Sequence, residues 1–183
     1  VGMDFTFYST NVYGVPEHAD SLALRHTVGA EPYRLYNLDV FEYELNSEMA
    51  LYGAVPIMYA HDKQHSVAML WYNPTETFVD VDKSAQTAFF GAENSVNTHW
   101  MSETGVIDVF VMLGPKIKDI FTQYRDLTGG AQLPPLFSIA YHQCSWNYNS
   151  EDDVRGVNQG YEDHNIPYDV LWLDIEHTDH KKY

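Results

Sequence analysis

The sequence predicts a β-sandwich followed by the first βαβ unit of a (β/α)8 TIM barrel, with the barrel incomplete in this chain. Three observations lead there. Residues 1 to about 113 hold short apolar or alternating runs separated by turn-prone residues, the pattern of an antiparallel sandwich. A helical period and a Pro-Pro connector then interrupt the β pattern. Beyond the connector the order is strand, helix, strand, and so short a crossover implies a right-handed unit with parallel strands.

The elements follow in order. Alternation runs through Asp4-Phe5-Thr6-Phe7-Tyr8 and again from Arg34 to Leu45, predicting two strands. Apolar runs at Val55–Tyr59, Val67–Tyr72 and Val106–Leu113 predict three more. Gly53, His61-Asp62, Asn73-Pro74 and Gly114-Pro115 supply the turns between them. Behind Pro115, the residues Ile117, Ile120, Phe121, Tyr124 and Leu127 recur at helical spacing, and Gly129-Gly130 ends that helix. These features divide the chain into a sandwich over 1–114, a connecting helix and Pro linker over 115–135, and the first two barrel strands over 136–183.

Leu136–His142 reads as the first barrel strand, with Ser138, Ala140 and His142 on one face. Ser150-Glu151-Asp152-Asp153 fits a capping box that opens a helix with Val154, Val157 and Tyr161 on its apolar side. Asn165-Ile166-Pro167 stops it. The last strand is Val170-Leu171-Trp172-Leu173-Asp174-Ile175-Glu176, which places Trp172, Asp174 and Glu176 on one face. Two carboxylates at the end of an apolar strand are costly to bury unless a partner or ligand meets them. A salt-bridged strand end is the plain alternative. In α/β barrels the functional groups sit at the C-terminal ends of the strands, where His142 to Tyr148 and Asp174 to His177 both fall. A full barrel needs roughly 250 residues, and only about fifty follow Pro134.

Composition narrows the function. The chain has 183 residues and is 45% hydrophobic, enough for a real core. Aromatics make up 15%, a level that suits a β-rich protein or a carbohydrate binder whose rings stack on sugar faces. A net charge of −16 with only ten unclustered Lys and Arg excludes a nucleic-acid or anionic-membrane partner. No apolar run approaches the ~20 residues of a membrane span. Cys144 is the only cysteine, so no intrachain disulfide forms, and it reads as a packing residue. His61-Asp62-x-x-His65 and His177-x-Asp179-His180 carry metal-capable donors, but in turn-like sequence without the fixed spacing of a helical pair, so neither is assigned a metal.

Long phrases then become recognisable: VYGVPEHADSLALRHT, EPYRLYNLDVFEYELN, MALYGAVPIMYAH, WMSETGVIDVFVMLGP, LPPLFSIAYHQCSWNY and PYDVLWLDIEH. Their content and order resemble family 31 glycoside hydrolases over essentially the whole chain, and most closely the branch that works in the endoplasmic-reticulum lumen. The resemblance implies a sandwich leading into a (β/α)8 barrel and an enzyme that hydrolyses α-glucosidic bonds with retention. Such enzymes use two carboxyl groups about 5 Å apart, one as nucleophile and one as acid/base. In this family both are Asp residues on later barrel strands, and the nucleophile belongs to a Trp-Asn-Asp-Met-Asn-Glu-type motif that does not occur here. The expectation is therefore that no catalytic residue lies in this chain and that the segment alone is inactive.

Three substrate-binding positions are carried over by the resemblance. Asp174, in WLDIEH, matches the Asp that accepts hydrogen bonds from the glucose whose bond is cleaved. Asp39, in YNLDVF, matches an Asp on a sandwich loop that touches substrate. Trp146, in SWNY, matches an aromatic lining the leaving-sugar subsite. The branch commonly has Ser-Arg before this Trp where this chain has Cys144-Ser145, a lost charge that bears on contacts there. Glu176 and His177 match the motif as candidates to support the loop or Asp174. The resemblance implies no cofactor. Its implied partners are a glucosylated N-glycan bearing terminal α-1,3-linked glucose, the remainder of a catalytic subunit, and a lectin-like β subunit. A two-stranded βαβ unit with an apolar outer face would expose a large patch, so the chain is expected to be a piece of a larger enzyme. The alternative is a non-catalytic carbohydrate-binding β-sandwich module.

Overall fold

The structure is a computed structural model and describes residues 1–84 and 94–182. In chain order its elements are β1 (Gly2–Phe7), β2 (Val12–Gly14), β3 (Tyr33–Leu35), β4 (Ile57–His61), β5 (Ser66–Trp71), β6 (Thr77–Asp82), β7 (Val96–Ser102), β8 (Val109–Gly114), α1 (Ile117–Thr128), β9 (His142–Ser145), α2 (Glu151–Asp163) and β10 (Val170–Leu173). Short 3-10 turns lie at Leu136–Ile139 and Ile175–His177. The chain forms two compact units, Val1–Gly130 and Ala131–Tyr183.

The first unit is a sandwich of two antiparallel four-stranded sheets, ordered β1-β7-β6-β3 and β2-β4-β5-β8. Strand periodicity explains the core between them. In β6, Thr77, Val79 and Val81 are buried while Phe78, Asp80 and Asp82 are less so. Phe7, Tyr33, Val79, Val81 and Trp100 meet Met58, Ala60, Met69 and Trp71 from the other sheet. The indole N–H of Trp71 donates to Ser102 Oγ at 2.8 Å, and Ser102 also bonds Thr77 Oγ1 at 2.7 Å, so these three buried polar groups are paired. On the outer side of the second sheet, Ile57, Ala68, Leu70 and Met112 receive Ile120 of α1. β5 is thus covered on both faces, and five of its six residues are buried. α1 packs on this sheet rather than spanning free between domains.

One expected strand of the sandwich differs. Arg34–Leu45 pairs only over Tyr33–Leu35, after which the backbone is a loop. Long-range bonds staple the loop: Leu38 N–H to Leu51 O at 2.8 Å, Asn37 Nδ2 to Tyr52 O at 2.8 Å, and Tyr52 OH to Val40 O at 2.8 Å. The alternation of Phe41, Tyr43 and Leu45 therefore faces no second layer, and Phe41 is 89% exposed. Strands β2, β6 and β7 are absent from the expected set: β2 is only three residues long, β6 and β7 carry polar residues among their apolar ones, and all three pair with neighbours distant in sequence.

In the second unit the expected strand Leu136–His142 is instead a 3-10 turn followed by β9. Pro135 sets the entry to the turn, and its carbonyl accepts from both Ser138 N at 3.1 Å and Ser138 Oγ at 2.7 Å. β9 then pairs in parallel with β10, with His142 opposite Val170 and Ser145 opposite Leu173. Ser150 Oγ accepts from Asp153 N at 3.2 Å to open α2. The reciprocal carboxylate bond reaches Asn149 N at 2.9 Å, one residue before the box position. At the other end Asn165 adopts a left-handed φ of 52°, while Asn165 N bonds Glu162 O and Ile166 N bonds Tyr161 O. This is a Schellman stop, and Pro167 follows it.

Candidate functional site

β9 and β10 end side by side, and their C-terminal ends carry the polar residues singled out in the sequence. The strand runs only to Leu173, so Asp174 and Glu176 do not share a strand face as expected. Asp174 instead caps the turn Ile175–His177, with Oδ1 accepting from Ile175 N at 2.8 Å. A carboxylate beside free backbone N–H groups favours such a turn over continued extension. The Asp174 carbonyl accepts from His177 N at 3.0 Å and contacts His177 Nδ1 at 2.9 Å. His177 therefore braces the backbone of Asp174. Among the described residues, Oδ2 of Asp174 accepts no hydrogen bond, and the side chain is exposed.

Trp146 follows directly on β9. Its indole Nε1–H donates to Glu176 Oε1 at 3.1 Å, and Lys181 Nζ donates to the same oxygen at 2.8 Å. Lys181 Nζ also lies over the indole, 5.8 Å from the ring centre. The Lys181 ammonium first, and the Trp146 N–H second, hold the Glu176 carboxyl below its ordinary range. Trp146 itself stays 54% exposed. Lys181 had no signal in the sequence, because its approach to Glu176 depends on the irregular turn between them.

Behind these residues the two faces of the small sheet differ. On one, the indole Nε1–H of Trp172 donates to His142 Nδ1 at 2.8 Å, and His142 Nε2 bonds Phe137 O at 3.0 Å. An indole can only donate and a carbonyl can only accept, so His142 is the neutral Nε2–H tautomer. Cys144 pairs with Trp172 across the strands and is exposed rather than packed, because that face lies away from α2. On the other face, Gln143 Oε1 accepts from Tyr141 OH and Tyr161 OH, each at 2.6 Å, and Gln143 Nε2 donates to Tyr148 OH at 2.9 Å. The neighbouring Tyr141 hydroxyl pushes the Tyr161 phenol up to about 12.

Asp39 belongs to the first unit, on the stapled loop after β3, and is exposed. The structure thus gathers Trp146, Asp174, Glu176 and His177 around the ends of β9 and β10, with Asp39 in the other unit. The motif at His61 is a turn: Asp62 Oδ1 accepts from Gln64 N and His65 N, each at 2.7 Å, while His61 Nδ1 meets Ser66 Oγ. Among the described residues no three His, Cys, Asp or Glu side chains converge. No helix among them is long and apolar enough to cross a membrane.

Comparison with known proteins adds to this geometry. Residues 1–80 match the glycosyl hydrolase 31 N-terminal galactose mutarotase-like domain, and residues 131–183 match the glycosyl hydrolases family 31 TIM-barrel domain. The chain is 54% identical to neutral alpha-glucosidase AB of Dictyostelium discoideum, covering all of this chain and 20% of that protein. It is 48% identical to a crystallised glucosidase II alpha subunit bound to alpha3-Glc2, with a TM-score of 0.83 over 100% of this chain and 21% of that one. A third match is the ER glucosidase II heterodimeric complex of catalytic subunit and the binding domain of the regulatory subunit. There the identity is 48% and the TM-score 0.82, again over 100% of this chain and 21% of that one. The chain spans about a fifth of the length of these relatives.

Proposed function

We propose, from a chain that belongs to glycosyl hydrolase family 31, that it is the substrate-holding segment of a retaining α-glucosidase. The complete enzyme removes terminal α-1,3-linked glucose from N-glycans of nascent glycoproteins in the endoplasmic-reticulum lumen, in company with a lectin-like β subunit. Support for the linkage and partner comes from what relatives bind: alpha3-Glc2 in one, a regulatory subunit in another. The nucleophile and the acid/base lie outside this segment, which by itself is inactive. The segment requires no cofactor for this role.

One observation carries the reading. Asp174 stands at the C-terminal end of β10, where α/β barrels place their functional groups, with one carboxylate oxygen on its own turn and the other open. A carboxylate accepting from two sugar hydroxyls is a charge-assisted clamp, and the sugar offsets its desolvation. His177 holds the Asp174 backbone in place for that contact. Asp39, on the stapled loop, is a second and weaker contact, and Trp146 lines the leaving-sugar subsite.

In the complete enzyme Asp174→Asn should lower kcat/KM on an α-glucoside by about 3 kcal/mol of transition-state stabilisation, roughly a hundredfold. Asp39→Asn should cost less. Steady-state kinetics on purified protein decides: an unchanged kcat/KM for Asp174→Asn sinks the clamp.

A further inference from the structure

We infer that Glu176 and Lys181 are positioning residues that make Trp146 a one-sided stacking platform, so that the leaving sugar is held through its C–H face and not by the indole N–H. The inference rests on the reading of Trp146 as a subsite aromatic and gives that subsite its chemistry. An indole has one hydrogen-bond donor, and here Glu176 Oε1 takes it at 3.1 Å. That leaves no polar group on the ring for a sugar hydroxyl. Lys181 Nζ bonds the same carboxylate oxygen at 2.8 Å and lies over one face of the ring, 5.8 Å from its centre. One face is thus shared with a cation while the ring as a whole stays 54% exposed. The other face is the apolar surface on which a sugar's axial C–H groups stack.

The geometry is held from two sides. Trp146 sits at the end of β9, whose register is set by pairing with β10. Glu176 sits in the turn that Asp174 caps, so the clamp and the platform are built from one backbone turn. A carboxylate fixed by both a cation and an N–H donor loses rotamer freedom, and the ring it holds is restricted with it. A sugar that meets a preset ring gives up less entropy on binding than one that must order it.

The test uses the complete enzyme and two substrates that share the cleaved glucose. An α-1,3-linked glucose disaccharide fills the leaving-sugar subsite, whereas α-glucosyl fluoride leaves it empty. Glu176→Ala should lower kcat/KM for the disaccharide about tenfold more than for the fluoride, chiefly through KM. Glu176→Gln keeps an acceptor for the indole and should recover most of that loss. Tryptophan fluorescence supplies a readout that does not depend on the subsite. The difference between wild type and Glu176→Ala should vanish when both carry Trp146→Phe. Equal losses on the two substrates, or no fluorescence difference, would overturn the positioning role. If Trp146→Ala leaves the disaccharide kinetics unchanged while the fluorescence difference persists, the subsite reading fails and the orienting contact stands.

Discussion

The two units solve the burial problem in opposite ways. The sandwich has a core on each side of its second sheet, with Trp71, Trp100, Tyr33, Val79 and Val81 fully buried and Ile120 sealing the outer side. Among the described residues of the second unit no side chain reaches the buried class, and Leu136, Ile139 and Trp172 are exposed. That unit is ordered instead by caps, a Schellman stop and polar networks around Gln143, His142 and Glu176. The difference shows where each unit's residues are used. Apolar packing is non-directional and gives the sandwich its stability, whereas the barrel unit relies on directional bonds that fix the aim of a few side chains.

Three measurements can break or sharpen this contrast, beginning with the largest effect. Trp71→Ala removes a fully buried ring and the indole donor to Ser102 Oγ, so urea denaturation should show a loss of about 3–5 kcal/mol. A loss below 1 kcal/mol, on the order of a surface substitution, would break the claim that the sandwich core carries stability. Next, Ser150→Ala removes the cap of α2 and should cost only about 1 kcal/mol, read as faster amide exchange confined to the first turn of that helix. Global unfolding of the sandwich by this change would show the two units to be energetically coupled. The smallest effect concerns pH. Lys181 and then Trp146 hold Glu176 below its ordinary value of 4.5, so its charge-dependent contacts are fully present above that value and are lost as pH falls through the lowered one. Trp146 fluorescence should therefore stay level from about pH 7 to about pH 5. A transition inside that window would assign the contact to another titrating group.

Legibility in the sequence tracked how local each cause is. α1 and α2 were readable because their apolar spacing, Pro115, Ser150 and Asn165 act within a turn or two. β6 and β7 were not, although β6 alternates cleanly, because Asp80, Asp82, Asn97 and His99 break up the apolar runs that mark a strand. The loop at Phe41 alternates just as well and is no strand, since nothing layers over it. Asp174 and Trp146 at the strand ends, and Asp39 on its loop in the other unit, were named from the long phrases around them. The contacts that give Trp146 its orientation were not readable. Residues 146, 176 and 181 are joined only after two strands pair in parallel and a turn closes.

By itself the sequence determined the family, the order of sandwich then barrel, and the helix boundaries, all of which rest on contiguous residues or on signals a few positions apart. The tertiary structure alone decided where β9 begins, that Asp174 caps a turn instead of extending a strand, and that Glu176 faces an indole and not its neighbouring acid. Those outcomes depend on which backbone groups find partners across space, and a hydrogen bond between distant residues leaves no period in the chain that makes it.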